Sequence, residues 1–303
     1  SGTVALGNKT LSLTNAADTF AGAIGGTGGL AITGGTETLS GANTYTGSTT
    51  LSTGSTLRAG AANTLSSGSA VTVASGATLD LNNTNQTLAS LAGAGNTTLG
   101  SGSLTTGGSG ASTTYSGNFS GVGNVIKTGA GTWTLSGTNT NTGDVSVNGG
   151  TLALGSTSAL NSNNILNLNS GTVNFASGTT YIGALFNNGG TAGGGSYVAT
   201  LTTTQSGVLN SVMADGSGYQ AGVYKYSDGT ANGGSTTIGA ANTFTGVVKV
   251  VGGELKLMPG GSFAAASSLY TAGTGAAQGI MNLNNINQTF SAINGTGGQI
   301  ALG

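Results

Sequence analysis

The sequence predicts an all-β fold, a right-handed parallel β-helix (β-solenoid) built from about three superrepeats of roughly 100 residues each. Three observations predict this fold. One nine-residue motif occurs three times at nearly even spacing, strand-like segments recur about 22 residues apart, and the chain of 303 residues holds 60 glycines but a single proline. Parallel connections within one sheet favour right-handed winding, which fixes the expected hand.

The nine-residue motif gives the long period. It reads LSGANTYTG from Leu39, LSGTNTNTG from Leu135 and IGAANTFTG from Ile238, so its starts lie 96 and 103 residues apart. Even spacing of this kind is the signature of a repeat architecture. We therefore expect a single solenoid over residues 1–303. Its superrepeats are expected at residues 1–100, 101–200 and 201–303.

Paired strand-like segments after each motif give the short period. Their offsets of 22, 21 and 26 residues are each about one turn of a parallel solenoid. Alternation with period two separates inward from outward side chains. The predicted interior residues are Leu79, Leu152, Val173, Leu255 and Met281. The predicted exterior residues are Arg58, Asp80 and Lys256. An antiparallel sandwich of ~100-residue domains is the alternative fold, but its strands need not resemble one another one turn apart.

Glycine and proline usage fits short parallel strands joined by tight bends. Pairs such as Gly149-Gly150 and Gly252-Gly253 stand between strand-like segments, where the backbone needs left-handed conformations. Proline would remove a donor from the hydrogen-bond ladder, so its scarcity suits strands that are paired on both sides. Frequent glycine also argues against long helices, because each interior glycine costs about 1 kcal/mol relative to alanine.

Composition excludes several classes of function. Charged residues make up 4 % of the chain and the net charge is −1, so no basic surface for nucleic acid is expected. With no histidine and no cysteine, catalytic triads and metal sites built on imidazole or thiolate are excluded. We expect no enzymatic activity, no catalytic residue, no cofactor and no metal site. Asp18 and Glu37, 19 residues apart, are interpreted as surface residues on adjacent turns.

The three motif copies also resemble a known family. The segment from Lys127 to Leu152 runs through a Lys-Thr-Gly entry, a Thr-Leu-Ser-Gly strand, an Asn-Thr-Asn-Thr-Gly bend and a Gly-Thr-Leu strand. The segment from Thr33 to Leu57 follows the same order, with Ile32 in place of the lysine. The segment from Ile238 to Leu255 keeps only the bend and the strand after it. This order is similar to the passenger-associated transport repeats of bacterial autotransporters. The resemblance implies a right-handed parallel β-helix outside a Gram-negative cell.

Two functions are consistent with this resemblance. The first is a structural extracellular or cell-surface fibre element that stacks head-to-tail into a filament or forms one repeat of a giant fibrous protein. The alternative is an adhesin-type module that contacts surface glycans. The repeat pattern fades over residues 181–232. This irregular region is interpreted either as an elaborated turn that covers one side of the solenoid or as a contact surface, since tyrosine with glycine and serine is typical of adaptable contact surfaces. The candidate contact residues are Tyr219, Tyr224, Tyr226 and Trp133, the last of these predicted to point outward.

The two ends of the chain read as ordinary repeat sequence. Residues 283–290 repeat residues 81–88, and Leu302-Gly303 repeats Leu99-Gly100. Ser1-Gly-Thr-Val4 then resembles the segment that follows Gly100. We therefore expect copies of the chain to join head to tail. The junction residues are expected to be Ser1, Gly2, Thr3, Val4, Ala301, Leu302 and Gly303.

Overall fold

All regular elements in the described part of the chain are β-strands, and they pair in parallel. The computed structural model describes residues 2–182, 184–187, 191–199, 207–209, 223–225, 235–239, 241–273 and 278–303. The chain divides into two compact units, Ser1–Ala159 (unit 1) and Leu160–Gly303 (unit 2). The predicted β-solenoid is confirmed. The winding hand, the three superrepeats and the single solenoid over residues 1–303 stay predictions.

Unit 1 contains nineteen described strands, most of them three to five residues long. They are β1 Thr3–Ala5, β2 Leu11–Leu13, β3 Thr19–Phe20, β4 Ala23–Gly25, β5 Leu30–Ile32, β6 Gly35–Leu39, β7 Thr49–Leu51, β8 Ser55–Ala59, β9 Ala70–Val73, β10 Thr78–Asp80, β11 Gln86–Thr87, β12 Ser90–Gly93, β13 Asn96–Gly100, β14 Leu104–Thr106, β15 Thr113–Tyr115, β16 Phe119–Gly121, β17 Val125–Lys127, β18 Thr132–Leu135 and β19 Val145–Leu154.

Each turn of unit 1 passes through three faces. Face 1 holds β3, β6, β8, β10, β13 and β16 in that order. Face 2 begins with the separate two-stranded sheet of β1 and β4, and it continues with β11, β14, β17 and the first half of β19. Between β4 and β11 the turns are connected by hydrogen bonds of the Asn43 and Gln86 side chains. Face 3 holds β2, β5, β7, β9, β12, β15, β18 and the second half of β19. The chain therefore visits faces 1, 2 and 3 in sequence and then begins the next turn.

Register explains the sequence offsets. Leu57 pairs with Leu79, and Leu255 with Met281, so the predicted pairs lie directly above one another. The length of a turn varies, because Leu79 also pairs with Thr97 only 18 residues later. The five predicted interior residues are all fully buried. On the outside, the Arg58 side chain is 46 % exposed and ion-pairs with Asp80 at 3.4 Å. Lys256 is half-buried. Alternation thus confirms the predicted interior.

Two glycines show why bends between strands need this residue. Gly93 and Gly121 have φ values of 110° and 107°, a region that favours glycine. A Cβ at Gly93 would lie 2.0 Å from the carbonyl oxygen of Val73 on the preceding turn. A Cβ at Gly121 would lie 2.5 Å from the carbonyl oxygen of Gly100. Close stacking of turns therefore excludes side chains at these bends.

Unit 2 contains twelve described strands. They are β20 Ile165–Ile182, β21 Ala184–Asn187, β22 Thr191–Ala199, β23 Gly207–Leu209, β24 Val223–Lys225, β25 Ser235–Ile238, β26 Val247–Val250, β27 Gly253–Leu257, β28 Ser268–Ala272, β29 Gly279–Asn282, β30 Ala292–Thr296 and β31 Gln299–Ala301. The strands β23, β25, β27, β29 and β31 form one sheet, and β24, β26, β28 and β30 form another. The strand β20 pairs with both β21 and β22.

Candidate functional site

Asn43, in the bend of the first motif copy, connects three successive turns. Its side chain is buried, and its Oδ1 accepts a hydrogen bond from the backbone N–H of Ile24 at 2.7 Å on the turn before. Its Nδ2 donates to the carbonyl oxygen of Thr64 at 2.6 Å on the turn after. A primary amide is suited to this position because it both donates and accepts. The motif asparagine therefore provides hydrogen-bond partners for backbone N–H and C=O groups at bends, where no regular strand ladder supplies them.

Asn139 repeats this arrangement in the second motif copy. Its Oδ1 accepts from the N–H of Phe119 at 2.8 Å, and its Nδ2 donates to the carbonyl oxygen of Ala159 at 2.6 Å. In the third copy, Nδ2 of Asn242 donates to the carbonyl oxygen of Ser262 at 3.1 Å. The shared motif thus encodes an internal connection between turns. The sequence predicts a bend at the repeated asparagine but does not indicate that its amide is buried and bonded between turns.

Lys127 begins the longer segment that contains the second motif copy, and its side chain is also buried. Its Nζ donates to the carbonyl oxygens of Thr128 at 2.7 Å, Gly129 at 2.9 Å and Gly149 at 3.1 Å. Burial lowers the pKa of this ammonium below its ordinary value. The three carbonyls belong to bends of two successive turns, so the lysine fastens one bend to the next. The equivalent residue of the first copy, Ile32, is an apolar core residue.

The first two motif copies lie on different faces of unit 1. Leu39 pairs with Phe20 and Ala59 on face 1. Leu135, the same motif position, pairs with Tyr115 and Leu154 on face 3. From Leu39 on face 1 the chain advances by two faces and reaches Leu51 on face 3. Four successive pairings along face 3 then connect Leu51 to Leu135, by way of Val73, Gly93 and Tyr115. The 96-residue spacing is therefore four turns plus two faces, and the second copy is displaced around the axis.

Comparison with known proteins identifies the motif. The family described as passenger-associated-transport-repeat matches residues 34–59 and residues 125–154. These two segments are passenger-associated-transport repeats. The resemblance found in the sequence is thereby confirmed. No curated protein and no solved structure matches the chain. The third motif copy, which lacks the Thr-Leu-Ser-Gly strand, lies outside both matched segments.

The passenger repeats imply a location for the protein. Repeats of this family indicate a secreted or cell-surface protein of Gram-negative bacteria. In the part of the chain that the structure describes, no helix has the length and apolar character needed to cross a membrane.

Trp133 in the second passenger repeat is inside the solenoid, and the prediction that it points outward is wrong. Its side chain is 2 % exposed, and its Nε1 donates to the carbonyl oxygen of Leu91 at 3.0 Å. The ring packs edge-on against Phe119, with 6.0 Å between centroids. Phe119 in turn packs against Tyr115 at 4.9 Å. Trp133 stands two residues before buried Leu135, so strand alternation itself indicated an inward side chain.

The first passenger repeat places a carboxylate where the second has this tryptophan. Glu37 is 7 % exposed, and desolvation together with the nearby charge of Asp18 raises its pKa. The interpretation of both as surface residues is therefore wrong for Glu37, although Asp18 is exposed. The side chain of Glu37 borders an apolar cavity of about 110 Å³ at the start of unit 1. Among the described residues, no group of three acidic, histidine or cysteine side chains could hold a metal ion.

The tyrosine cluster predicted as a contact surface falls largely outside the described residues. Tyr219 and Tyr226 are not among them. Tyr224 lies on β24, where its backbone pairs with Lys249 on β26, and its side chain is outside the description. Its neighbour Lys225 is fully buried, and this burial lowers its pKa to about 8. The contact surface over residues 181–232 stays a prediction.

Of the predicted junction residues, Thr3, Val4 and Ala301 lie on the first and last described strands, whereas Gly2, Leu302 and Gly303 lie next to those strands and Ser1 lies outside the described residues. Thr3 and Val4 belong to β1, which pairs with β4 on face 2. Ala301 belongs to β31, which pairs with β29, and Leu302 is 71 % exposed. The contact between these two ends in another copy stays a prediction.

Proposed function

We propose that this chain is a structural shaft segment of an extracellular or cell-surface fibre. In this role its turns continue head to tail, either between copies or as one repeat of a giant fibrous protein. The chain would carry out no catalysis and would need no cofactor. Its contribution would be length and stiffness, supplied by stacked turns that share ladders of backbone and side-chain hydrogen bonds.

The observation that carries the proposal is the inward orientation of the asparagine that the two passenger repeats share. Asn43 and Asn139 bind backbone of neighbouring turns rather than presenting a group to solvent. The two repeats also lie on different faces, so their exposed residues do not align along one side of unit 1. A surface array for ligand binding would need such alignment. Repetition of the motif therefore supports a role in building the shaft.

The alternative function as an adhesin depended on Trp133 and three tyrosines as surface contact residues, and none of them supports it. Trp133 is buried, and the tyrosines lie outside the description or lack a described side chain. Among the described residues no surface feature favours glycan binding over the structural role. We therefore carry forward only the structural proposal.

Two measurements on native material test the proposal. Antibodies raised against the chain should label intact producing cells or their extracellular fibres without permeabilisation. Aligned fibres should give a meridional reflection near 4.8 Å, because stacked parallel turns are spaced by that distance along the axis. Labelling that appears only after permeabilisation would contradict the proposed location. Labelled material without the axial reflection would contradict the shaft.

A further inference from the structure

The strand before the third motif copy carries a second fully buried lysine. Lys225 on β24 is 0 % exposed, and Lys127 in the second passenger repeat is 1 % exposed. Burial lowers the pKa of both ammonium groups. A buried ammonium is costly unless acceptors surround it, so each lysine marks a place where the fold supplies them. Two such places in one chain indicate a structure that occurs twice.

Strand register puts the two lysines at the same position. Lys127 pairs with Val147, which stands twelve residues after the start of the second motif copy. Lys225 pairs with Val250, which stands twelve residues after the start of the third copy. The valines two positions earlier on each strand also pair alike, with residues ten positions after each start. Strand β24 is therefore the equivalent of β17.

The strand that opens the motif is also present in the third copy, although its sequence differs. Strand β25 pairs with β27, so that Ile238 lies beside Leu257. Strand β18 pairs with the second half of β19, so that Leu135 lies beside Leu154. All four side chains are buried, and the residues of each pair are nineteen positions apart. The sequence STTI of β25 thus takes the place of TWTL in β18.

The bend of the third copy keeps side-chain hydrogen bonds of the earlier copies. Its asparagine, Asn242, donates to a carbonyl oxygen twenty residues further along the chain, as Asn139 does in the second copy. The carbonyl oxygen of Phe244 accepts from the buried hydroxyl of Ser267. Tyr45, at the same motif position of the first copy, accepts in the same way from a serine one turn further on. The bend is therefore built like those of the passenger repeats.

The extra length of the third copy lies in one connection. Nine residues separate Lys225 from Ser235, whereas four residues, 128–131, separate Lys127 from Thr132. From Ser235 and Thr132 onward, the two copies have the same spacing to the end of the closing strand. Loop-closure entropy grows slowly with length, so a bend can take additional residues at little cost. The insertion thus interrupts the sequence pattern without changing the strand register.

From these matches we infer that residues 223–257 form a third passenger repeat, with Lys225 as its buried fastening residue and with an insertion after β24. The connection between β24 and β25 is then a position where the shaft accepts additional chain while its turns stay in register. The inference rests on the proposed structural function, because it assigns a further unit of the same shaft. Its tests use the purified chain.

Shortening the connection tests the architecture. Residues 226–234 are replaced with Thr-Gly-Ala-Gly, the sequence of residues 128–131. Because these four residues span the same connection in the second repeat, the variant should keep the circular dichroism of the parent, and hydrogen–deuterium exchange should find β26 as protected as before. Removal of all nine residues is the matched control and should abolish this protection, since no bend residue then remains. Loss of protection in both variants, or retention in both, would overturn the inference.

Substitution of the lysine tests its role. Lys225→Met should lower the melting temperature by about 2–10 °C and speed exchange in β26, because the acceptors around the ammonium lose their donor. Lys127→Met should speed exchange in the first half of β19 by a similar factor. Lys249→Met is the matched control, since Lys249 is half-buried on β26 and its Nζ lies 5.1 Å from the ring centroid of Tyr270. It should shift the melting temperature by no more than about 2 °C.

Unchanged melting and exchange in Lys225→Met would overturn the assignment of this lysine. An effect of Lys249→Met as large as that of Lys225→Met would do the same, because burial would then not distinguish the two residues. None of these results bears on surface labelling or on the axial reflection. Failure here and failure of the proposed function are therefore distinguishable.

Discussion

The two passenger repeats share a backbone course but occupy different faces and carry different interior residues. The first, residues 34–59, is preceded by Ile32 and places Glu37 inside, whereas the second, residues 125–154, includes Lys127 and places Trp133 inside. In the middle of each repeat, the same asparagine forms a hydrogen-bonded bridge between turns. The comparison teaches that the motif specifies a bend and its two flanking strands. It does not specify which face the bend occupies or what fills the interior beside it.

The largest expected effect comes from a charge in the closing strand of either repeat. Leu152 and Leu57 are its buried leucines, at 0 % and 1 % exposure. Leu152→Asp should lower the free energy of unfolding by about 4 kcal/mol or more, because it buries an unpaired carboxylate. Leu57→Asp should cost a similar amount if the two repeats are built alike. Denaturant unfolding measures both.

The neighbouring residue provides a control for that prediction. Ala153 follows Leu152 in the same strand but is only half-buried. Ala153→Asp should change the free energy of unfolding by no more than about 1 kcal/mol. Equal costs at residues 152 and 153 would contradict the assignment of inward and outward sides.

The asparagine bridge gives the next largest effect. Asn43→Asp and Asn139→Asp keep the acceptor oxygen but lose the donor to the following turn, leaving Thr64 or Ala159 with an unsatisfied carbonyl. Each substitution should cost about 2–3 kcal/mol, the range for an unsatisfied buried group near a charge. Ala42→Asp, at an exposed neighbour of Asn43, is the control and should be close to neutral. Clearly unequal costs at Asn43 and Asn139 would show that the bend depends on its face.

The buried lysine separates the two repeats. Lys127→Met should cost about 1–3 kcal/mol at neutral pH, because three carbonyls lose their donor. Ile32→Met, the equivalent change in the first repeat, should cost less than about 1.5 kcal/mol, since it conserves an apolar side chain. Comparable costs at both positions would mean that the ammonium contributes no more than its aliphatic stem.

The pH dependence of the lysine effect has a definite sign. Burial lowers the pKa of Lys127 in the folded state, so the folded protein loses this proton at lower pH than the unfolded chain does. The contribution of Lys127 to the free energy of unfolding therefore rises as pH increases between the lowered folded value and the ordinary 10.5. Subtracting the pH profile of Lys127→Met from that of the parent should expose this rise. A flat difference would contradict the lowered pKa.

Strand alternation predicted the interior well, and polarity misled where the two disagreed. Leu79, Leu152 and Met281 were placed correctly because neighbouring apolar residues stand two apart. Glu37 and Trp133 share the inward parity of Leu39 and Leu135, yet their charge and size favoured the surface. In a solenoid the parity of a strand is fixed by its register with the turns on either side. A lysine of inward parity can then donate to bend carbonyls, as Lys127 does.

The displacement of the second repeat around the axis was not predictable from its 96-residue spacing. Turn length is not constant, being 18 residues between Leu79 and Thr97 but 26 between Leu255 and Met281. Small differences in bend length therefore accumulate over several turns. Only the pairing register shows that Leu39 and Leu135 lie on different faces. The amide bridges were likewise hidden, because a repeated asparagine in a Thr-rich bend fits an exposed turn equally well.

The smallest expected effect concerns the residue that distinguishes the first repeat. Desolvation, assisted by the charge of Asp18, raises the pKa of Glu37 in the folded state. The folded protein therefore holds this proton to higher pH than the unfolded chain, whose value is near the ordinary 4.5. Stability is thus greatest with the carboxyl protonated, and it should fall as pH rises from about 4.5 through the raised folded value.

Glu37→Gln keeps the shape of the side chain and removes the titration. Its free energy of unfolding should be flatter over that pH interval than that of the parent and should exceed it at neutral pH. Asp18→Asn is the informative control, because Asp18 is exposed and acts on Glu37 through its charge. It should shift the pH interval downward without abolishing the dependence. If Glu37→Gln and the parent had parallel profiles, the carboxyl would be ionised inside the solenoid at no cost, and another group would have to be satisfying it. The first repeat would then hold a buried charge as the second does at Lys127, and the two interiors would differ only in the sign of that charge.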